Sequence, residues 1–278
     1  MPADDVLVIT GGAGEMGLAC ARALATRGRL LLLDVGEERL EQACATLTTE
    51  GATVETLRCD VTSPEQVAAL TDRVRAMGRF RSLVHTAGVS PEMADGRRVL
   101  DVDLVGSVRI TDAVFPLVGP GSSAILIGSI AGYSDVTPAV EKLLDDPMAE
   151  GFFDAIERAL DHPLGSETAY VLAKRGVVRL AERLATPWGA KGGRTVAVAP
   201  GLMDTAMGRM ELERQPIMPL MVEATPVKRP EQPLPGRAED MAATVAFLVS
   251  DGAAFISGCD IRVDGGLVGA GRHMLNVS

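Results

Sequence analysis

Tyr170 and Lys174 stand four residues apart in the stretch YVLAK. On a helix that spacing puts both side chains on one face, so the lysine ammonium can approach the tyrosine phenol. The chemistry on offer is proton transfer. A free tyrosine titrates near pKa ~10, and taking a proton near neutrality needs a shift of about 2 to 3 units, worth roughly 3 to 4 kcal/mol. One positive charge at about 4 Å, in an effective dielectric near 20, supplies about 4 kcal/mol. Lysine is therefore sufficient in principle, although the same spacing also arises between two surface residues of a helix.

A second stretch offers anion binding. TGGAGEMG, Thr10 to Gly17, follows the apolar run Val6-Leu7-Val8-Ile9 and leads into the alanine-rich LACARALA. Between a strand and a helix, backbone N–H groups and the positive helix end can hold a pyrophosphate, the bland alternative being an ordinary tight turn. A later apolar run ends in LLLDVGEERL, placing Asp34 seventeen residues after Gly17. An acid there accepts hydrogen bonds from ribose hydroxyls and repels a 2'-phosphate. Glu37 and Glu38 add to the repulsion, so NAD is expected rather than NADP.

The elements that must position these groups are legible in the alternation of short β-branched or leucine-rich runs with longer alanine- and charge-rich ones. Strands are expected at about 5 to 9, 29 to 34, 53 to 58, 82 to 86, 123 to 128, 194 to 199 and 260 to 263, separated mainly by helical patterns. That alternation predicts an α/β fold, a single doubly wound parallel sheet of Rossmann type with helices on both faces. No repeat or low-complexity linker divides the chain, so residues 1–278 read as one domain. Two segments break the rhythm: a helical piece at about 133–167, and a Met- and Pro-rich stretch at about 202–236, the kind of excursion that forms lids or interfaces.

Bulk properties narrow the partners. With 47% hydrophobic residues and a mean hydropathy of +0.19, the chain is too apolar for disorder, yet no apolar run is long enough to cross a membrane. The start MPADD carries no leader signature, and cytoplasmic residence is the expectation. A net charge of -10 and a pI near 4.9 argue against a nucleic-acid surface. Cys20, Cys44, Cys59 and Cys259 read as small thiols without chemistry, and the scattered His85, His162 and His273 suggest no metal site.

Farther motifs run in order along the chain: CDVT with Asp60, HTAG with Ala87 and Gly88, GSIAG with Ser129, YVLAK, and APGLMDT with Pro200, Gly201 and Thr205. Together with the glycine loop they resemble the classical short-chain dehydrogenase/reductase family, from Thr10 to the VDGG at 263–266. The resemblance implies a nicotinamide-dependent alcohol dehydrogenase or ketone reductase. Ser129 would hydrogen-bond the substrate oxygen while Tyr170 takes its proton and hydride passes between the carbinol carbon and NAD. Lys174 would also bind the nicotinamide ribose, and Asp103 occupies the position of the family's usual catalytic asparagine. The implied cofactor contacts are Gly11, Gly14, Glu15, Met16, Gly17, Asp34, Asp60, Val61, Ala87, Gly88, Tyr170, Lys174, Pro200, Gly201, Met203 and Thr205. A catalytically impaired NAD-sensing or scaffolding protein is the alternative.

Three departures qualify the resemblance. Glu15 stands where the family pattern TGxxxGxG has glycine, and its side chain is expected to point away from the pyrophosphate, most simply into solvent, the alternative being that it reaches a ribose hydroxyl or a neighbouring donor. Asp103 is expected to be tolerated and to serve a proton relay mostly through its backbone, whose carbonyl survives the substitution, while a carboxylate close to Lys174 would raise the Tyr170 pKa. His85-Thr86 replaces the usual Asn-Asn, and His85 is read as a structural strand-end residue. Ser129 and Tyr170 are 41 residues apart, an insertion similar to that of the bacterial 3α-hydroxysteroid dehydrogenase/carbonyl reductase branch, which leaves a dimer. A homodimer or homotetramer is expected. Phe152, Phe153, Ile156 and Leu160 form an apolar stripe in that insertion, able to make a local core, an interface or a substrate cover. Met203, Met207, Met210, Met218 and Met221 populate the expected substrate lid and suit a hydrophobic steroid- or terpenoid-like alcohol or ketone, unless they fill gaps against the sheet.

Overall fold

Val6, Leu7, Val8 and Ile9 are all fully buried, yet they serve two different cores. Successive strand side chains point to opposite faces, so Val6 and Val8 pack on one side of the sheet and Leu7 and Ile9 on the other. An unbroken apolar run is what a strand covered on both faces requires.

The computed structural model describes residues 4–229 and 231–277; the first three residues, part of the start read for a leader, and Pro230 in the 202–236 segment lie outside them. Strands β1 (Asp5–Thr10), β2 (Arg29–Asp34), β3 (Val54–Arg58), β4 (Arg79–His85), β5 (Ser123–Ile127), β6 (Arg194–Pro200), β7 (Met203–Asp204), β8 (Gly236–Arg237) and β9 (Cys259–Val263) succeed one another along the chain. Seven form a parallel sheet in the order β3-β2-β1-β4-β5-β6-β9, a Rossmann-type arrangement.

Helices α1 (Glu15–Leu24), α2 (Glu37–Thr49), α3 (Pro64–Met77), α4 (Gly96–Leu100), α5 (Gly106–Val114), α6 (Pro138–Leu143), α7 (Phe152–Leu160), α8 (Ser166–Gly189), α9 (Ala206–Arg214), α10 (Met218–Ala224), α11 (Ala238–Val249) and α12 (Leu267–Val277) fill the intervals. The faces of α1, α2 and α11 cover the Leu7 side, and those of α3, α5 and α8 cover the Val6 side. Among the described residues no helix is long and apolar enough to cross a membrane.

β4 starts three residues earlier than the sequence pattern predicts. Arg79 and Arg81 disguise its first turn of strand as polar, but each guanidinium has a carboxylate partner, Arg79 on Asp5 at 2.7 Å and Arg81 on Asp251 at 2.6 Å. The paired two-residue strands β7 and β8 were not legible in the sequence. They set Met203 beside Gly236, so the 202–236 excursion leaves and rejoins the fold at one point.

The 133–167 segment contains α6 and α7. Phe152 and Ile156 are buried in a cluster with Val140, Leu144, Leu164, Ala169, Leu172 and Ala173, with Phe153, Leu160 and Tyr170 packed against it. Of the three roles open to the apolar stripe, the structure assigns local core to Phe152 and Ile156. Ion pairs fasten the segment to α8: Arg175 to Glu141 at 2.6 Å, Arg179 to Asp145 at 2.6 Å and Arg183 to Asp145 at 2.9 Å.

Candidate active site

Ser129 lies just beyond β5, where the chain turns into a short 3₁₀ turn, and its Oγ accepts a hydrogen bond from Ala131 N–H at 3.1 Å. That bond fixes the side chain at the carboxyl end of the sheet. Tyr170 and Lys174 lie one turn apart on α8, and the Lys174 ammonium is 5.2 Å from the Tyr170 ring centroid. The Ser129 hydroxyl lies close enough to the Tyr170 phenol to draw its pKa down. The structure thus brings together the three side chains that the sequence places at 129, 170 and 174.

Asp103 is the fourth member of this cluster. Residues Asp101–Val105 form a single π-helical turn between α4 and α5, the kind of extra-residue bulge that re-aims a side chain. The Asp103 carboxylate, on a residue only 1% exposed, lies 2.8 Å from Lys174 Nζ. Val89 N–H donates to its other oxygen at 2.8 Å, and its backbone carbonyl accepts from the Ser107 hydroxyl at 2.6 Å. The carboxylate is thus a direct partner of the lysine, close enough to oppose its field on Tyr170.

That pairing sets the electrostatics. Burial pushes the Tyr170 phenol above its ordinary range; Lys174 and the Ser129 hydroxyl pull it down, while Glu211 and Asp103 add to the rise. Burial pulls Lys174 down, but Asp103, Tyr170 and Glu211 outweigh it and hold the ammonium above its usual value. Burial raises Asp103 against the pull of Lys174 and Val89 N–H. The lysine keeps its proton, and its field is shared between the aspartate and the phenol.

His85 is buried at the end of β4, with Nδ1 2.7 Å from Thr10 Oγ1. Ala87 N–H donates to the same Thr10 oxygen at 3.3 Å, so one hydroxyl holds both groups. Burial, with Lys174 adding to it, lowers the His85 pKa to about 3. It ties the ends of β1 and β4 together beneath the glycine loop.

The glycine loop fits a dinucleotide. Gly11 has φ +62°, and a Cβ on Gly17 would lie 2.2 Å from the Gly11 carbonyl oxygen, so the turn closes only without a side chain there. Gly14 caps α1 without any side-chain hydrogen bond, leaving the first helical N–H groups, those of Glu15, Met16 and Gly17, for an anion. Asp34, 8% exposed, ends β2. Its Oδ1 accepts from Gly36 N–H at 3.0 Å and from Arg39 Nη2 at 2.9 Å. Asp60 receives Thr62 N–H at 2.9 Å and Arg98 Nη2 at 3.2 Å; burial works against these bonds, which still hold its carboxyl below the usual range. Val61 is buried beside it, and Ala87 and Gly88 follow β4. Pro200 ends β6, and Gly201 N–H donates to Val263 O at 3.0 Å. Met203 is buried, and Thr205 caps α9 by accepting from Gly208 N–H at 3.2 Å.

Four further residues belong to this neighbourhood and escaped the sequence reading: Arg39, Arg209, Glu92 and Glu211. Arg209 Nη2 donates to Glu15 Oε1 at 2.9 Å. Glu92 accepts from Gln215 Nε2 at 2.7 Å, and burial followed by Glu92 pushes Glu211 up to about 7 against the pull of Lys174. A hollow of about 510 Å³ beside this pair is lined by Glu92, Ser166, Glu167, Arg214, Gln215 and Ile217. Ser166 is one turn before Tyr170 on α8. Met218 is buried and Met221 half-buried in a small cluster with Leu202, Leu234 and Leu267, so these two methionines do fill gaps; Met207 and Met210 are half-buried.

Residues 5–139 match the family model described as short chain dehydrogenase, and residues 159–268 match the one described as Enoyl-(Acyl carrier protein) reductase. The chain is 32% identical to a cis-4-hydroxycyclohexanecarboxylate dehydrogenase of Sinomonas cyclohexanicum, over 95% of this chain and 96% of that one. It is 28% identical to a D-threitol dehydrogenase of Mycolicibacterium smegmatis, over 94% and 92%. Among solved structures, a levodione reductase superposes with a TM-score of 0.77 at 27% identity, over 97% of this chain and all 100% of that one.

Proposed function

The chain belongs to the short-chain dehydrogenase family, and from that premise we propose that it interconverts a secondary alcohol and a ketone with NAD. The observation that carries the reading is the cluster in which the Lys174 ammonium lies 5.2 Å from the Tyr170 ring centroid with the Ser129 hydroxyl beside the phenol.

In this reading the Ser129 hydroxyl orients the substrate oxygen, and the Tyr170 hydroxyl takes its proton during oxidation or returns one during reduction. Lys174 stabilises the phenolate, and Asp103 fixes the lysine in place and keeps it charged. When bound, the nicotinamide supplies the hydride acceptor or donor. The glycine loop with the α1 N-terminus would hold the diphosphate, Asp34 the adenosine ribose, Asp60 and Val61 the adenine side, and Pro200 to Thr205 the nicotinamide end. Asp34 supports NAD over NADP, because a 2'-phosphate would meet its carboxylate.

The substrate we propose has an apolar body. The half-buried Met207, Met210 and Met221 and the exposed Ile217 and Leu220 of the 202–236 segment, read as the lid, support this. The insertion supports the 3α-hydroxysteroid dehydrogenase/carbonyl reductase branch and a dimer, since α6 and the turn after it occupy the Arg175, Arg179 and Arg183 face of α8. Residues 1–278 act as one cytoplasmic domain in this proposal.

The test is NADH fluorescence during turnover of a panel of hydrophobic secondary alcohols and ketones. Tyr170→Phe is expected to lower kcat roughly 100-fold or more while NAD still binds. Tight NAD binding with no turnover, unaffected by Tyr170→Phe, would favour a sensing or scaffolding protein instead.

A further inference from the structure

Glu15 opens α1, and its carboxylate reaches across to the start of α9. Oε2 accepts from Ala206 N–H at 2.9 Å and Oε1 from Arg209 Nη2 at 2.9 Å. Ala206 is the first residue of α9, and an α-helix leaves its first N–H groups without internal partners. The Thr205 cap serves Gly208 N–H, so Glu15 supplies the acceptor that Ala206 lacks. Arg209 Nη1 in turn donates to Asp204 Oδ1 at 2.7 Å, and Asp204 belongs to β7, whose pairing with β8 closes the base of the 202–236 segment. One carboxylate therefore bridges the N-termini of two helices, one carrying the glycine loop and the other entering the excursion.

We infer that Glu15 and Arg209 form a latch that positions the substrate lid against the diphosphate loop, and that Arg209 offsets the charge which Glu15 brings to that loop. This rests on the proposed reading of 202–236 as a lid and of Thr10 to Gly17 as the diphosphate turn. Glycine at position 15 would leave the loop free of the charge but would remove the bridge. Both side chains of the pair are nearly half exposed, 45% for Arg209 and 47% for Glu15, so the ion pair acts as a bias on lid position rather than a lock.

Two measurements without turnover test it: NAD titration followed by intrinsic fluorescence, and amide hydrogen exchange over residues 203–214. Each is made on the unchanged chain, Glu15→Gly, Glu15→Gln, Arg209→Ala and the Glu15→Gly, Arg209→Ala double variant. Arg209→Ala is expected to weaken NAD about two- to fivefold, because the charge of Glu15 beside the diphosphate loop is then unbalanced. In the Glu15→Gly background the same substitution is expected to leave the NAD Kd unchanged. Every variant is expected to exchange faster at Ala206 and its neighbours. Equal weakening of NAD by Arg209→Ala in both backgrounds would make Arg209 a direct cofactor contact and overturn the balancing role. Unchanged exchange at 205–209 in Glu15→Gly and Glu15→Gln would overturn the latch. Failure of the unchanged chain to bind NAD would sink the proposed function, while the exchange of the variants would still decide the latch.

Discussion

Asp103 Oδ2 lies 2.8 Å from Lys174 Nζ, with both side chains buried. The carboxylate therefore shares the lysine with the Tyr170 phenol. Replacing it by asparagine keeps the shape and an acceptor for Val89 N–H but removes the opposing charge. Tyr170 feels Asp103 less than it feels Lys174 or Glu211, so the effect on turnover is bounded. Asp103→Asn is expected to move the Tyr170 limb of the kcat/KM profile to lower pH by less than about one unit, with kcat at pH 7 changing less than tenfold. It should also destabilise the fold by about 3 kcal/mol, since a buried ammonium loses its partner. A pH–rate profile and a urea titration read the two effects separately. A tenfold or larger gain in turnover at pH 7 would show that the carboxylate hinders the reaction.

Glu211 ionises near neutrality, pushed up to about 7 by burial and by Glu92. As pH rises through that value a negative charge appears opposite Tyr170 and holds the phenol up further. Glu211→Gln is expected to shift the Tyr170 limb to lower pH by roughly half a unit to one unit. If the limb stayed in place or moved up, Glu211 would not act on Tyr170.

His85 gives the opposite kind of pH dependence, in stability. Its folded pKa of about 3 lies below the unfolded value of 6.5, so between those values the unfolded chain binds more protons. Stability from this group is full above pH 6.5 and is lost as pH falls towards 3. Between pH 7 and 4.5 the loss is about 2 to 3 kcal/mol. His85→Asn should flatten that part of the stability curve by this amount in urea unfolding, whatever its effect at pH 7.

What the sequence discloses and what it hides follow one physical line. The run Val6 to Ile9 discloses β1 because burial on both faces leaves a continuous apolar signature, and Tyr170 with Lys174 disclose themselves because a helix brings i and i+4 together. Contacts made across the tertiary fold leave no such mark. Glu15 and Arg209 are 194 residues apart, and Glu92 meets Gln215 across 123, so neither pair has a periodicity to betray it. Arg39, close in sequence to Asp34, was missed for a different reason: a charged residue in the first turns of a surface helix reads as solvated until Asp34 is seen 2.9 Å away.

The insertion's stripe makes a prediction about where its stability resides. Ile156 is fully buried among residues of α4, α6 and α8, and its helix is pinned by Arg97 to Asp154 and Glu157. Ile156→Ala is expected to cost about 2–5 kcal/mol. A local core gives a urea midpoint independent of protein concentration, whereas a stripe held by a second subunit gives one that rises with concentration.

In the proposed reading cofactor choice turns on Asp34 and Arg39, which pull in opposite directions. The carboxylate is 8% exposed at the tip of β2, while the guanidinium beside it is largely solvated, so the acid is the fixed feature and the arginine the adjustable one. A ribose diol can donate to the Asp34 oxygens with Arg39 swung aside, because the largely solvated guanidinium returns to water when it leaves. A 2'-phosphate would gain Arg39 but would have to lie against a buried carboxylate. The preference should therefore collapse from the acid's side: Asp34→Ser is expected to reduce the NAD over NADP ratio of kcat/KM by tenfold or more, about 1.4 kcal/mol. The freed guanidinium then becomes a phosphate partner, so adding Arg39→Ala to Asp34→Ser should take back part of the NADP gain. Arg39→Ala alone should change the NAD Kd less than about fivefold. Steady-state kinetics with both cofactors on the four proteins decide it, and a larger loss of NAD affinity from Arg39→Ala than from Asp34→Ser would reverse the assignment of roles.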